Sequence, residues 1–300
     1  MTMVTVIIPA YGPPKYLKAS IESVISQTYT EWELIIVDDN NPESEFRKST
    51  QLIVTEFIKA DSRIKYIRHT HNKNGAAARN TALKVAQGDY ISFLDSDDEY
   101  KPDRLAKCVT VIEDAEDNVA GVYTGCEFRR GGKTYLRYTD VKNGKFLVDT
   151  LACRFMFCTG SNIFIRKSVA DELHGFDDAF LRHQDYEFLV RVFEKYSLKA
   201  IPEILVIKNN ENFNLPNISK MGAIKRQYLD KFASIIRTLS DTDRKYIYYA
   251  NYISLAEQCL RQQKWNKAKE FYNIASDNMS VTFRDRLRKY ALILQSYAKK

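Results

Sequence analysis

Short apolar runs alternate with amphipathic stretches of helical length through the first 120 residues of the chain. Apolar runs of this kind predict buried strands, which are here Val4–Pro9, Trp32–Val37, Ile64–Arg68 and Tyr90–Leu94. The stretches between them repeat apolar residues at helical spacing and predict the helices Lys15–Gln27, Phe46–Ala60 and Ala76–Ala86. Strands alternating with helices predict an α/β fold with a mostly parallel, doubly wound sheet.

The pattern changes twice further along the chain. Between residues 121 and 219 it predicts a strand at Ser161–Arg166, a helix at Gln184–Tyr196 and a strand at Ala200–Ile207. Beyond that, the sequence is helical in pattern, rich in Tyr and without a strand candidate. Within it, Tyr249–Asn278 reads as a helical hairpin with a polar break at 262–265. A single hairpin of this kind cannot form a solenoid.

We therefore expect two parts. Residues 1–219 are predicted to form an α/β domain, with a nucleotide-binding half at 1–120 and an acceptor half at 121–219. Residues 220–300 are predicted to form a helical subdomain.

Polar chemistry follows three of the four predicted strands. Tyr11 and Gly12 follow the first strand, Asp38 and Asp39 the second, and an acidic loop, residues 95–98, the fourth. Ligands of open parallel sheets bind outside the carboxyl ends of the strands. Acidic residues also populate ordinary turns, but two acidic clusters at one sheet edge favour a binding site.

Composition excludes several classes of protein. The apolar start of the chain is too short to span a bilayer and lacks the features of a signal peptide. The five cysteines are scattered and contain no CxxC pair, so neither a zinc site nor a disulfide framework is expected. A reducing, cytoplasmic location fits these features best.

The net charge of +7 is distributed unevenly. Residues 220–300 hold 17 Lys and Arg against 7 Asp and Glu, a balance of +10, while the rest of the chain is slightly acidic. An anionic partner would therefore bind the C-terminal part. An anionic membrane face is one candidate, and an ordinary solvated helical pair or a homodimer contact is the alternative. Nucleic acid is not expected, because the basic residues form no recognisable binding module.

Several motifs, taken in order, resemble family 2 glycosyltransferases of the GT-A fold. In the nucleotide-binding half, the matching segments are 4–11, 35–39, 74–80 and 88–98. In the acceptor half, Gly175–Asp177 and Gln184–Arg191 resemble the motifs of the acceptor side. The resemblance covers about residues 1–210 and does not extend to the C-terminal helices. It implies a Rossmann-like GT-A fold, a nucleotide-diphosphate sugar donor, and transfer with inversion at the anomeric carbon.

The resemblance also assigns roles in the acidic loop. Asp97 matches the residue that reaches a divalent metal, and Asp95, with Ser96 beside it, matches the donor-binding position at the ribose. Mg²⁺ or Mn²⁺ suits this chemistry, because a hard cation neutralises the charge of a departing diphosphate. Asp98 is expected to hold water or the loop itself.

The donor base is expected to lie at the ends of the first two strands. Asp39 matches the position that accepts a hydrogen bond from the base, typically from uracil N3–H, and Pro9, Ala10 and Tyr11 would line the same pocket. Asp38 could brace the loop.

A helix start is expected to complete the donor site. Gly75, at the start of a predicted helix, would let the backbone approach the ligand. Arg79, one turn further, would contact the base edge or a phosphate. The alternative for Arg79 is a pair with a core carboxylate such as Asp38.

Asp185 is the candidate general base. Inverting transfer needs a carboxylate opposite the departing diphosphate, and Asp185 matches the family's acidic position at the head of a helix. The residue before it is usually Glu in the family but is Gln184 here. An N-cap role is the alternative for Asp185, and Arg191 is expected to be structural.

One feature of the family's pattern is missing. Many relatives carry a metal-binding His after the strand that follows the base, but all four histidines here precede Asp185: His69, His71, His174 and His183. The corresponding stretch, 208–212, contains Asn residues whose oxygens could ligate a cation weakly. We expect His183 to serve the acceptor side or the structure.

The function expected from these features is transfer of a sugar, from a UDP-sugar in particular, to a saccharide or lipid-linked saccharide in bacterial surface-polysaccharide assembly. The location would be cytoplasmic, with peripheral contact at the inner membrane face. One alternative is a sugar-phosphate nucleotidyltransferase, for which residues 12–15 form a poor phosphate loop. The other is an inactive scaffold whose helical tail binds partners.

Overall fold

The computed structural model describes residues 2–209 and 218–297. Within these ranges the strands are β1 Val4–Ala10, β2 Trp32–Asp38, β3 Ile64–Arg68, β4 Tyr90–Phe93, β5 Asp98–Tyr100, β6 Val119–Arg130, β7 Lys133–Tyr138, β8 Phe164–Arg166 and β9 Ser197–Asn209. The helices of the α/β part are α1 Leu17–Ile25, α2 Glu45–Ala60, α3 Gly75–Leu83, α4 Arg104–Glu113, α6 Lys167–Glu172 and α7 Gln184–Lys195, with a short 3-10 turn at Gly160–Asn162. The remaining helices are α5 Leu147–Leu151, α8 Ile218–Lys231, α9 Ala233–Thr238, α10 Asp241–Arg261, α11 Trp265–Asn278 and α12 Phe283–Tyr297.

The described strands form one sheet in the order β3-β2-β1-β4-β8-β6-β9-β5, with β7 paired to β6. The first four strands in this order are parallel, as the alternating sequence pattern predicted. β6 and β9 also pair in parallel. The other strands depart from the predicted parallel pattern, because β8 runs antiparallel to both β4 and β6, β5 runs antiparallel to β9, and β7 runs antiparallel to β6. The sheet is therefore mixed.

Local sequence explains the elements that frame the site. The residues of β1 and β2 are nearly all buried, as expected for strands covered on both faces. The side chain of Asn74 accepts a hydrogen bond from the amide of Ala77 at 3.1 Å and caps α3. The amide of Asn74 donates to Asp39 Oδ2 at 2.9 Å and holds the start of α3 next to the carboxyl end of β2.

The chain divides into two compact units. The first comprises residues 1–145 and 156–213 and contains the sheet, and the second comprises Phe146–Phe155 and Asn214–Lys300. In the second unit the amide of Asn251 in α10 donates to the carbonyl of Leu151 at 2.9 Å, and the hydroxyl of Tyr228 in α8 donates to the carbonyl of Thr150 at 2.8 Å. These bonds tie α5 to the C-terminal helices.

The helical hairpin predicted near residues 249–278 is present as α10 and α11, although α10 begins earlier, at Asp241. Among the described residues, no helix combines the length and apolarity needed to cross a bilayer.

Two of the five cysteines form a disulfide. Cys126 in β6 is bonded to Cys158, 32 residues further along the chain. The prediction that the cysteines form no disulfide was wrong, because it relied on spacing in sequence. The mixed half of the sheet brings β6 next to the segment that precedes residue 159, and spacing alone does not reveal this proximity.

Candidate active site

The acidic loop follows β4 at the carboxyl edge of the parallel strands. One carboxylate oxygen from each of Asp95, Asp97 and Asp98 can be chosen so that all three oxygens lie within 4.8 Å of one another. Three carboxylates this close repel one another unless cations compensate their charge. The cluster therefore has the composition and the electrostatic need of a site for a hard divalent cation.

Asp95 is bound from the side of α3. Its Oδ1 accepts a hydrogen bond from Arg79 Nη2 at 2.6 Å, and Arg79 Nη1 also donates to Gln184 Oε1 at 3.1 Å. Burial disfavours the charged form of Asp95, but Arg79 and Lys208 outweigh it and hold the pKa of this carboxyl below its usual range. Arg79 thus connects the acidic loop to the first residue of α7.

This bridge bears on the sequence predictions for Arg79. The alternative prediction was a pair between Arg79 and a core carboxylate such as Asp38. The guanidinium does pair with a carboxylate, and that carboxylate belongs to Asp95. The pair of Asp38 is Arg47, whose Nε lies 3.3 Å from Asp38 Oδ2. A Cβ placed on Gly75 would meet Arg79 Nη1 at 3.1 Å, so the side chain of Arg79 lies over the backbone at the start of α3.

Asp98 lies deepest in the loop and is fully buried. Its Oδ2 accepts a hydrogen bond from Ser161 Oγ at 2.6 Å and lies 3.4 Å from Lys208 Nζ. Burial raises the pKa of Asp98 to about 7, with Lys208 opposing the rise and Asp97 and Asp95 adding to it. Asp98 therefore braces the loop, which is one of the two roles that the sequence analysis left open for it.

Asp97 is the exposed member of the cluster. Its backbone carbonyl accepts a hydrogen bond from Asn209 Nδ2 at 2.9 Å, which fixes the loop and leaves the carboxylate facing solvent. The carboxylates of Asp95 and Asp98 form hydrogen bonds and ion pairs with protein groups, whereas that of Asp97 forms none with any other described residue. It is the best placed to hold a metal that also contacts a bound diphosphate.

Lys208 was not singled out by the sequence analysis, which considered residues 208–212 only as the place of a missing His. Lys208 lies near the end of β9. Its Nζ is 3.4 Å from Asp98 Oδ2 and 3.2 Å from Thr159 Oγ1. Burial disfavours the ammonium, but Asp98, Asp95 and Asp97 outweigh it and keep the pKa of Lys208 above its usual value. Of the Asn residues considered in this stretch as weak ligands, Asn209 donates through Nδ2 to the carbonyl of Asp97 and to Glu99 Oε1, and those at 210 and 212 lie outside the described residues.

Thr159 and Ser161 are also site residues that sequence reasoning missed. The hydroxyl of Thr159 lies 3.2 Å from Asp95 Oδ2 and from Asp98 Oδ2, and the amide of Asp95 donates to Ser161 Oγ at 2.9 Å. Both side chains are buried. A run of small polar residues between a Cys and an apolar strand was the only available signal, and such runs are common in loops.

Asp185 lies in the first turn of α7. Its carboxylate packs against Gly160, where a Cβ would lie only 2.7 Å from Asp185 Oδ1. Among residues 2–209 and 218–297, this buried oxygen has no hydrogen-bond partner. Burial raises the pKa of Asp185, with Arg79 opposing and Asp95 adding to the rise. A carboxylate of this kind, unpaired and with an elevated pKa, has the properties of a general base.

The predicted N-cap role of Asp185 does not describe its position, because the N-cap residue is His183. Arg191, expected to be structural, forms an ion pair with Glu187 at 2.7 Å and donates to the carbonyls of Leu173 and Gly175.

Asp39 lies at the end of β2, beside the end of β1, where its amide donates to the carbonyl of Ala10 at 2.9 Å. Its buried carboxylate lies 2.7 Å from His69 Nδ1 and accepts hydrogen bonds from Asn72 Nδ2 at 2.7 Å and from the amides of Lys73 and Asn74 at 2.8 and 2.9 Å. These four contacts use the acceptor capacity of the carboxylate. A nucleotide base could bond Asp39 directly only by replacing one of them.

The other predicted donor residues surround this edge. Tyr11 is 66% exposed, so its ring is available to a ligand, whereas Ala10 is buried and Pro9 and Ser96 are half-buried. Asn74, which donates to Asp39, caps the helix that carries Arg79. The structure thus links the Asp39 end of the site to the acidic loop and to α7 through α3.

The comparison with known protein families identifies this arrangement. Residues 5–174, more than half of the chain, match the family described as Glycosyl transferase family 2. The chain belongs to glycosyl transferase family 2. It is a glycosyltransferase, and the expectation drawn from its motifs is confirmed.

Named relatives agree with this family 2 assignment. The UDP-Glc:alpha-D-GlcNAc-diphosphoundecaprenol beta-1,3-glucosyltransferase WfgD of Escherichia coli is 30% identical over 201 residues, which are 66% of this chain and 73% of that protein. The amylovoran biosynthesis glycosyltransferase AmsB of Erwinia amylovora is 28% identical over 203 residues, 66% of this chain and 65% of that protein.

Solved structures show the fold of this family 2 chain. The crystal structure of S. aureus TarS 1-349 in complex with UDP-GlcNAc is similar with a TM-score of 0.68 at 15% identity, covering 98% of this chain and 89% of that chain. The mannosyltransferase PcManGT of Pyrobaculum calidifontis, in complex with GDP-Man and Mn²⁺, has a TM-score of 0.60 at 18% identity, covering 99% and 80%. The fold is GT-A, as the motifs predicted.

Proposed function

We propose that this glycosyltransferase moves a sugar from a UDP-sugar to a saccharide linked to a lipid diphosphate, with inversion at the anomeric carbon, in bacterial surface-polysaccharide assembly. The donor and acceptor classes are those named for WfgD. The inverting course is the one that the family's motifs imply, and Asp185 supports it as a carboxylate whose buried Oδ1 has no hydrogen-bond partner among the described residues. This carboxylate is the observation that carries the proposal.

Asp185 acts as the base. It accepts the proton of the acceptor hydroxyl as the hydroxyl oxygen bonds to the anomeric carbon, while the bond from that carbon to the diphosphate oxygen breaks and the electron pair leaves with UDP. The elevated pKa of Asp185 strengthens it as a base. Oδ1 is buried against Gly160 and has no hydrogen-bond partner among the described residues, so the carboxylate loses no such bond at Oδ1 when it accepts the proton.

Asp97 would hold the divalent ion, Mn²⁺ or Mg²⁺, beside the carboxylates of Asp95 and Asp98. When bound, the ion supplies positive charge that stabilises the departing diphosphate. Asp95 orients the ribose, with Ser96 beside it, and Arg79 keeps Asp95 in place. The donor cleft is lined by Pro9, Ala10, Tyr11 and Gly75. Asp39 shapes the end of the cleft where the nucleotide base binds, because its carboxylate holds the backbone amides of residues 73 and 74.

A donor panel tests the proposed function. Nucleotide release is measured with UDP-, GDP- and dTDP-sugars and a synthetic GlcNAc-diphospho-lipid acceptor, with Mn²⁺ or with EDTA. We expect release from a UDP-sugar that requires acceptor and falls sharply in EDTA, and a product of inverted anomeric configuration by NMR. A retained configuration, or release only from other nucleotides, would refute the corresponding part of the proposal.

The second unit would bring the enzyme to an anionic membrane face. Its helices carry the positive surplus of the chain, and α12 exposes Phe283, Leu287 and Tyr290 at helical spacing, with Phe283 77% exposed. Apolar side chains beside basic ones suit the interface of an anionic bilayer.

Sedimentation with vesicles tests this contact. The double variant Phe283→Ser, Leu287→Ser should bind vesicles of phosphatidylglycerol less than the unaltered protein, whereas truncation after residue 219 removes the helices altogether. Equal sedimentation of the double variant and the unaltered protein would exclude α12 as the contact. A concentration-dependent dimer that the double variant abolishes would assign the face to a second copy instead.

A further inference from the structure

Lys208 reaches the acidic loop from a distant part of the chain. It lies near the end of β9, which pairs antiparallel with β5 so that Lys208 is opposite Asp98. Its Nζ lies 3.4 Å from Asp98 Oδ2 and 3.2 Å from Thr159 Oγ1, and its side chain is only 22% exposed. The strand pairing therefore fixes an ammonium group beside the carboxylates of Asp95, Asp97 and Asp98, and these four charged side chains form the acidic pocket.

The charges around this ammonium are unevenly distributed. Asp95 forms an ion pair with Arg79 at 2.6 Å. Asp98 forms its ion pair with Lys208, whose Nζ lies 3.4 Å from Asp98 Oδ2. The exposed Asp97 has no ion pair among the described residues and shares the pocket with both. Lys208 thus supplies positive charge to the same carboxylates that would attract a divalent cation.

We propose that Lys208 is a resident cation of the acidic pocket and weakens the binding of the divalent metal by competing with it for the carboxylates. The inference rests on one part of the proposed function, which is that Asp97 is a ligand of a divalent ion. A positive charge a few ångströms from the ion opposes its binding, and the pocket screens this repulsion less than bulk water does. Lys208 also compensates the carboxylates when no metal is bound.

Calorimetric titration of Mn²⁺ into metal-free protein, without donor or acceptor, tests the inference. We expect Lys208→Met, whose unbranched side chain is one heavy atom shorter and uncharged, to bind Mn²⁺ at least tenfold more tightly than the unaltered protein. Lys208→Arg should stay within threefold of the unaltered protein, because it retains the charge. The control Lys142→Met removes one charge from an exposed surface lysine and should also change the affinity less than threefold.

Thermal unfolding first establishes that each variant is folded, and Lys208→Gln replaces Lys208→Met if the latter is not. Mn²⁺ should raise the unfolding temperature of the neutral variant more than that of the unaltered protein, because tighter binding stabilises the folded state more. Equal or weaker Mn²⁺ affinity in the neutral variant would overturn the inference.

The outcome is separable from that of the proposed function. If the unaltered protein releases no nucleotide from any sugar donor while the neutral variant still gains Mn²⁺ affinity, the proposed function fails and the role of Lys208 stands. If sugar transfer requires Mn²⁺ but the neutral variant gains no affinity, only the role of Lys208 fails.

Discussion

The contact between Gly160 and Asp185 allows a test of how closely the base must be positioned. A Cβ at residue 160 would lie 2.7 Å from Asp185 Oδ1 and 3.0 Å from its Cγ, whereas ordinary contact begins at 3.4 Å. The carboxylate of Asp185 would have to move by about 0.7 Å. Since a misplacement of about 1 Å at a reacting group can cost on the order of 10²-fold in rate, Gly160→Ala should lower kcat by about 10- to 100-fold.

The assay is nucleotide release from the best UDP-sugar at saturating donor and acceptor, with UDP affinity measured separately by calorimetry. UDP affinity should stay within about threefold, because the displaced group is the base and not a donor ligand. Gly222→Ala in α8 is the matched control, since a Cβ there would meet its nearest atom at 3.8 Å. We expect this control to keep normal kcat.

A double-mutant comparison shows whether the effect passes through Asp185. In an Asp185→Asn background the base is already removed, so adding Gly160→Ala should change the residual rate by less than about twofold. The reasoning is refuted if Gly160→Ala keeps normal kcat in the native background. It is equally refuted if the full penalty persists in the Asp185→Asn background.

Three further results are expected. Asp97→Ala should abolish Mn²⁺-dependent UDP binding, and unchanged UDP affinity in the presence of Mn²⁺ would contradict its role as a metal ligand. Because burial raises the pKa of Asp185, kcat should fall on the acidic side of a midpoint above 3.8, and a profile with no such limb would exclude a titrating base there. Glu127 is ion-paired with Arg129, and although burial opposes ionisation, its partners lower its pKa to about 2. Its stabilisation is therefore present above about pH 4.5 and lost as pH falls towards 2, so Glu127→Gln should cost about 2 kcal/mol at pH 7 and flatten this acid branch in denaturant unfolding.

The parallel half of the fold could be predicted from the sequence because its signals are local. The strands β1 to β4 coincide with short runs rich in apolar residues, and the acidic loop begins directly after the last predicted run, Tyr90–Leu94. The predicted helix at Ala76–Ala86 ends earlier, at Leu83, because helix ends depend on weak local preferences. The polar ends of these strands were recognisable for the same local reason.

The rest of the sheet, in which parallel and antiparallel pairs are combined, depends on contacts between distant residues, which sequence pattern does not encode. The strand β5, only three residues long, exists because it pairs with β9, about 110 residues away. That pairing places Lys208 beside Asp98, and neither residue signals the contact on its own. The disulfide between Cys126 and Cys158 was missed for the same reason.

The base is a mixed case. The family's motif located Asp185, but its environment depends on Gly160 and on the bridge from Arg79 to Gln184. The sequence analysis noted only that Gln184 stands where the family usually has Glu. In the structure its amide oxygen accepts a hydrogen bond from Arg79, the cation that also holds Asp95.

The most direct test of the account compares turnover and donor binding in Asp185→Asn. With Mn²⁺ and a UDP-sugar, this variant should bind UDP as tightly as the unaltered enzyme yet release nucleotide about 10²- to 10⁴-fold more slowly. Turnover close to normal would contradict the claim that Asp185 takes the proton of the acceptor.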